Sequence, residues 1–224
     1  MILKDNLWLN RYEWASKTIK AIADQNTGIN MTLFDVGSRD NILKGYLQTV
    51  PIQYRGFDLE PLDPTTEKWD IEEPFPYSYP SPQAIAFLEV LEHLNNPGLS
   101  LKNIGNLLKP GGILILTTPN PQWSTSRLSL FSTGSLTCFT QADLDLNHHV
   151  FTPWLHVVEK LLTDAGFEID EYVTLDGKTK VFDKTLRGGN IFKKLFARMV
   201  KKIIESRDPA SCGMSYGIVA KKIA

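Results

Sequence analysis

Four acidic residues and a glycine stand at or just beyond the ends of apolar, strand-like runs. Asp35 and Gly37 end the run 31–36, Asp58 ends 52–57, Asp70 sits in the loop beyond it, and Glu89 follows 84–88. In an open parallel sheet ligands bind in the crevice beyond the carboxyl ends of the strands, so polar side chains at successive strand ends make one candidate site. Gly37 lets the backbone turn tightly and approach a ligand. Asp58 lies 21 positions later, about the spacing at which an acid reaches a ribose diol. A carboxylate suits that task because its two oxygens accept hydrogen bonds from adjacent hydroxyls. The implied ligand is a nucleoside.

The same turn argues against a dinucleotide. A pyrophosphate site wants G-x-G-x-x-G opening a helix, whereas this turn reads Gly37-Ser-Arg-Asp-Asn-Ile42, with Arg39 and Ile42 where the second and third glycines belong. Asp40 adds a negative charge to the first helical turn, where it repels phosphate. A nucleoside cofactor without phosphate, and preferably with a positive charge, fits an acid-lined site better. Proton transfer needs a group near neutral pKa, and four histidines are available. His93 follows Glu89 closely, His148 and His149 fall in the segment after the strand 113–118, and His156 lies in a helix-patterned run. Each has a plain structural use as well: Glu89 and Glu92 can solvate a helix start, and His148 and His149 can cap the helix that begins near Thr152 and Pro153.

The elements that would position these groups follow from periodicity. Trp8, Tyr12, Ala15, Ile19 and Ile22 keep helical spacing, with Gly28 as a stop. Residues 31–36 read as strand, 42–50 as helix, 52–58 as strand, and 60–82 as a proline-rich loop with one short strand near 68–71. Residues 84–88 and 113–118 read as buried strands, with a helix over 101–108 between them. A helix around 155–165, a strand over 167–175 and a last strand over 215–220 complete an alternating α/β pattern.

At this point the chain resembles the class I S-adenosylmethionine-dependent methyltransferases, over about residues 31–172. The landmarks are LFDVGSRD (33–40), GFDLEP (56–61), KWDIEEPF (68–75), FLEVLEHLNNP (87–97), LLKPGGILILTTPNP (107–121) and HHVFTPWLHVVEKLLTDAGFEI (148–169), in that order. The resemblance implies a Rossmann-like fold: a seven-stranded, mostly parallel sheet with the last strand antiparallel and helices on both faces. It implies S-adenosylmethionine as cofactor and S-adenosylhomocysteine as product. Asp35, Gly37, Ser38 and Arg39 would then face the methionine end, Asp58 and Leu59 the ribose, Asp70 and Ile71 the adenine edge, and Leu88 and Glu89 the methyl-transfer site. His93, His148 and His149 become the candidate bases, and no metal is called for. The usual D-x-G-x-G appears here as Asp35-Val-Gly-Ser-Arg39, a departure at the cofactor's own turn.

Composition bounds the rest. The 224 residues, 42% apolar and 22% charged, fold as one domain: an N-terminal helix (1–30), a cofactor-binding core (31–118), a lid or acceptor insertion (119–151) and a basic amphipathic helical insertion (178–207) before the last strand. The net charge of -1 disfavours a non-specific nucleic-acid binder. Residues 1–177 carry 12 Lys and Arg against 22 Asp and Glu, while 178–207 carry 10 against 2. An acidic body thus bears a basic appendage, whose Lys193, Lys194, Arg198 and Lys201 lie largely opposite an apolar arc from Ile191 to Ile204. That helix either packs on the domain, pairs two copies, or contacts an anionic acceptor or membrane through 190–204. Cys138 and Cys212 form no ligand pattern, and with no span-length apolar run the reading is a cytoplasmic protein, monomer or homodimer, or one peripheral to a membrane. The expected partner is a small-molecule acceptor, its first guess a hydroxyl of a sugar-like, lipid-linked or secondary metabolite. A non-catalytic S-adenosylmethionine-binding adaptor and a nucleotide-dependent Rossmann oxidoreductase are the rivals, the latter opposed by the missing glycines.

Overall fold

The computed structural model describes residues 2–25, 31–177 and 191–223. Gly28 and the first part of the basic insertion, 178–190, lie outside them. Eight strands form a single sheet: β1 (Ile2–Asp5), β2 (Met31–Val36), β3 (Ile52–Asp58), β4 (Thr66–Lys68), β5 (Ala84–Leu88), β6 (Ile113–Pro119), β7 (Phe167–Leu175) and β8 (Ser215–Lys222). Their order is β1-β7-β8-β6-β5-β2-β3-β4. From β7 to β4 this is the seven-stranded arrangement that the motifs imply, with β8 antiparallel to both β6 and β7. β1 is an addition: a four-residue edge strand parallel to β7.

Among the described residues the helices are α1 (Arg11–Gln25), α2 (Ile42–Tyr46), α3 (Pro97–Leu107), α4 (Ser124–Thr133), α5 (Gln141–Asn147), α6 (Leu155–Asp164) and α7 (Ile191–Arg207). Successive strand residues point to opposite faces, and in the central strands both faces are covered. Phe34, Val36, Ile85 and Phe87 enter one apolar layer with Leu101 and Ile104 of α3 and Val158 and Leu162 of α6. Leu33, Ala84, Ala86 and Leu88 enter the other with Trp14, Ala15 and Ile19 of α1.

Local chemistry sets the element ends. Asn10 caps α1, its Oδ1 accepting from the Tyr12 and Glu13 amides at 2.9 and 3.0 Å while Glu13 accepts from the Asn10 amide at 3.0 Å. This reciprocal cap starts the helix at Arg11 and not at Trp8. Asn96 accepts from the Leu99 amide with Pro97 at the first helical position, so α3 starts four residues before its apolar repeat. The proline-rich loop carries its short strand at Thr66–Lys68, two residues earlier than the sequence suggests, because pairing runs Gly56–Thr66 to Asp58–Lys68 along β3.

Candidate active site

The carboxyl ends of β2, β3 and β5 meet at one edge. Gly37 leaves β2 with φ +84°, and a Cβ there would stand 2.1 Å from Val90 Cγ2. Only a glycine fits both the left-handed backbone and the space. The Gly37 and Ser38 amides both donate to the Phe57 carbonyl, at 2.8 and 3.1 Å, strapping the turn to the end of β3. Arg39 follows with φ +39° and Asn41 with φ +57°. The Arg39 carbonyl accepts from the Leu62 and Asp63 amides, which holds its backbone, while its side chain is exposed.

Asp58 closes the same turn. Its Oδ2 accepts from the Arg39 amide at 3.0 Å and its Oδ1 from the Glu60 amide at 2.8 Å. Each carboxylate oxygen keeps a lone pair, so the oriented acid can still receive a vicinal diol. Leu59 beside it is 54% exposed, an apolar surface at the cleft. The Trp69 amide donates to the Asp58 carbonyl, bringing Asp70 to the same end, where its Oδ1 accepts from the Glu72 amide. Ile71 is buried, with its carbonyl accepting from Asn103 Nδ2 at 2.8 Å.

The floor of the site is acidic and dry. Asp35 is buried, receives the Tyr54 hydroxyl at 2.5 Å, and is pushed up to about 7 by burial, with Asp58 and Asp40 adding to the effect. Glu89 takes φ +54° at the end of β5, next to the buried Leu88. Burial pushes its carboxyl up to about 7 against the pull of Arg11, whose Nη1 lies 3.5 Å from Glu89 Oε2. Glu92 is buried too, its Oε2 accepting from Thr118 at 2.9 Å, and burial together with Glu89 holds it well above the usual carboxylate range. Among the described residues the buried Glu89 Oε1 and Arg11 Nε atoms have no hydrogen-bond partner. Acids that burial drives toward protonation gain from a bound cation, so the set fits a sulfonium and an ammonium group far better than a phosphate.

The insertion 119–151 returns beside the end of β5. The carbonyl of Glu92 accepts from the amides of Val150 and Phe151, both at 3.0 Å, pinning the return of the insertion to the 3-10 turn Leu91–His93. His149 and His93 therefore meet with ring centroids 4.8 Å apart. His149 Nδ1 lies 2.5 Å from the Cys138 carbonyl, which can only accept, so Nδ1 is the donor and the tautomer compatible with this contact has its lone pair on Nε2. Burial, and then His149, lower the pKa of His93, so its imidazole is neutral at pH 7. His148 has an exposed side chain and ends α5 in a left-handed conformation, while its backbone lies against the His93 ring. Cys138, pushed up to about 12 by burial, is no thiolate nucleophile.

The sequence missed Arg11 and the depth of Glu92. Arg11 reaches Glu89 because the Asp176 and Gly177 amides after β7 donate to the Leu9 and Leu7 carbonyls, drawing the N-terminal segment across the sheet end. The reciprocal cap Asn10-x-x-Glu13 is the signal that marks where α1 begins. Glu92, His93 and His149 also bring ligand atoms within 4.8 Å of one another, a nitrogen and carboxylate set able to hold a transition-metal cation.

A parallel sheet reversed at its last inserted strand, with a tight glycine bend beside an acid at the next strand end, is the Rossmann-like arrangement of the methyltransferase fold. Comparison with known families makes this specific: the chain belongs to the methyltransferase domain family whose model matches residues 8–172. A ubiquinone biosynthesis O-methyltransferase from Rhodopseudomonas palustris is 31% identical over 81 residues, 36% of this chain and 26% of that enzyme, so the match spans about a quarter of the relative's length. Among solved structures, an S-adenosylmethionine-dependent methyltransferase from Archaeoglobus fulgidus superposes with TM-score 0.58 at 15% identity, over 92% of this chain and 94% of that one. The plantazolicin methyltransferase BamL, in complex with a triazolic desmethylPZN analog and SAH, superposes with TM-score 0.58 at 11% identity, over 96% and 85%. The fold and family set aside the oxidoreductase reading.

Proposed function

We propose that this methyltransferase acts on a hydroxyl group of a small-molecule acceptor, sugar-like, lipid-linked or a secondary metabolite, with His149 as general base. The observation that carries this reading is the meeting of His149 and His93 at the site edge, with the His149 tautomer set by the Cys138 carbonyl. An oxygen nucleophile needs its proton removed, and a neutral imidazole lone pair does that at neutral pH. The O-methyltransferase similarity, confined to 81 residues, points the same way.

Bound S-adenosylmethionine supplies a sulfonium-activated methyl group, so the protein's work is alignment, proton removal and exclusion of water. Asp58 orients the ribose, Leu59 and Asp70 border the base, and Gly37 admits the backbone to the methionine chain. Arg11, with its partnerless Nε, anchors the methionine carboxylate, while Glu89 and Asp35 balance the two positive charges. His149 accepts the acceptor's proton at Nε2. The test has two parts. Calorimetry with S-adenosylhomocysteine should show binding that Asp58→Ala weakens by about tenfold or more, and labelled S-adenosylmethionine incubated with cell extract should place label in an organic-extractable or sugar-containing product, with His149→Ala abolishing transfer. Label recovered in an amine, or binding indifferent to Asp58, would overturn the assignment.

A further inference from the structure

Helix α7 exposes an apolar stripe that the fold does not use. Its seventeen residues span about 25 Å. Ala197, Val200, Ile204 and Glu205 are half-buried, and Ser124 Oγ donates to Glu205 at 2.7 Å while Lys201 lies over the Trp123 ring, so this side packs on the lid helix α4. The continuous arc expected from the sequence is thereby split. Leu195, Phe196, Met199 and Ile203 turn outward, 54, 64, 53 and 44% exposed, and their i, i+4 and i, i+7 spacings make one stripe. On the helical wheel Arg198 and Lys202 flank it on one side and Arg207 on the other, all exposed and without an acidic partner among the described residues. Phe131, in the last turn of α4, is 93% exposed.

From this arrangement we infer that the outward face of α7 docks on a lipid bilayer with anionic headgroups. The charge pattern selects this occupant. In a two-fold dimer the stripe would meet itself, setting like cations against each other. At a bilayer the apolar stripe enters the headgroup boundary while Arg198, Lys202 and Arg207 extend their charges to the phosphates. No helix among the described residues is long and apolar enough to cross a membrane, so the contact is parallel to the surface. The acidic balance of residues 1–177 turns the rest of the molecule away. The inference rests on the proposed function for one point alone, that the delivered acceptor is the lipid-linked kind.

The full chain is sedimented with vesicles of phosphatidylcholine alone and of phosphatidylcholine mixed with phosphatidylglycerol, and its mass is followed by ultracentrifugation. The expected result is binding to the mixed vesicles about tenfold or more above phosphatidylcholine alone, weakened by salt. Arg198→Glu with Lys202→Glu removes that preference, and Phe196→Ser with Met199→Ser removes binding, while S-adenosylhomocysteine affinity in both variants stays unchanged and reports an intact fold. Failure of the parent chain to sediment with anionic vesicles overturns the inference, as does a dimer that Phe196→Ser dissolves. If vesicles fail while S-adenosylhomocysteine binds, docking alone falls; if vesicles bind while S-adenosylhomocysteine does not, the methyl-transfer reading falls and docking stands.

Discussion

Around Gly37 there is no room for a methyl group, whereas in α5 none of the seven residues is buried, although Ala142, Leu144 and Leu146 are apolar. The bend after β2 is held by the Phe57 carbonyl, by Asp58 and by Val90, all from neighbouring strand ends. The insertion 119–151 is anchored at its two ends, by the buried Trp123 and Ser124 and by the Glu92 carbonyl, while Leu130, Phe131, Leu144 and Leu146 between them are exposed. The difference separates two tasks. A cofactor shared across a family demands one backbone shape, and backbone shape is enforced by close packing. An insertion that meets a variable acceptor, as proposed for 119–151, needs tying down only where it delivers a side chain.

The largest effect that would break this contrast is at His149. His149→Ala should lower methyl transfer by about 10² to 10⁴-fold, measured as label incorporation, with S-adenosylhomocysteine affinity unchanged. His93→Ala should cost less if, as proposed, His149 is the base and His93 only packs against its ring. Loss of cofactor affinity in His149→Ala would mean that the lid and the cofactor cleft are not separable.

Gly37→Ala attacks the other side. The new Cβ is strained by φ +84° and blocked by Val90, so affinity for S-adenosylhomocysteine should fall by about 100-fold and stability by about 1–3 kcal/mol. Adding Val90→Ala removes the clash and leaves the backbone strain, so recovery should be partial. Calorimetry and thermal melting of the single and double variants measure the two parts separately.

The contrast also explains what could be read from the sequence. Strands β2, β5 and β6 are legible because burial on both faces forces nearly unbroken apolar runs, β3 because Pro51 breaks the preceding helix and its half-exposed residues alternate before the buried Gly56 and Phe57. Asp35, Gly37, Asp58 and Glu89 are legible because they stand at the ends of these strands. β1 was missed: Ile2–Asp5 is four residues at a sheet edge, too short to show a period and specified by its partner β7. Arg11 was missed because its role depends on where α1 begins, and that is set by the Asn10 and Glu13 side chains and not by the apolar repeat. His148 and His149 look equivalent in sequence. They diverge because His148 takes the left-handed end of α5, which turns His149 inward. Separating them needs the three-dimensional path of the lid.

The acidic floor gives a smaller effect with a defined sign. In the folded protein the Asp35 carboxyl titrates at about 7, against an ordinary value of 3.8. Between these values the folded state binds more protons than the unfolded state, so stability falls as pH rises. Glu89, also raised to about 7, adds to the slope. The cofactor-free protein should therefore lose melting temperature from about pH 4 to pH 7 through these groups and level off above, and Asp35→Asn should flatten the descent. S-adenosylhomocysteine, whose ammonium group offsets the buried acids, should flatten it as well in the parent protein. A parent slope of the opposite sign that Asp35→Asn leaves unaltered would show that the floor is not carrying unbalanced carboxyls.

The smallest effect tests the one departure in the cofactor turn. Arg39 occupies a left-handed backbone where related turns place glycine, and its exposed side chain has no ionic partner among the described residues. What the turn uses is its backbone: the amide donates to Asp58 and the carbonyl accepts from the Leu62 and Asp63 amides. Arg39→Gly keeps both and relieves the left-handed cost, so it should raise stability by up to about 1 kcal/mol and change S-adenosylhomocysteine affinity by less than about threefold. Arg39→Ala, which removes the same charge without relieving the backbone, should leave affinity equally unmoved and stability at the parent level. A tenfold loss of affinity in both variants would mean that the guanidinium reaches the cofactor, and the turn would then be a site of side-chain recognition, as the lid is, and not of backbone shape alone.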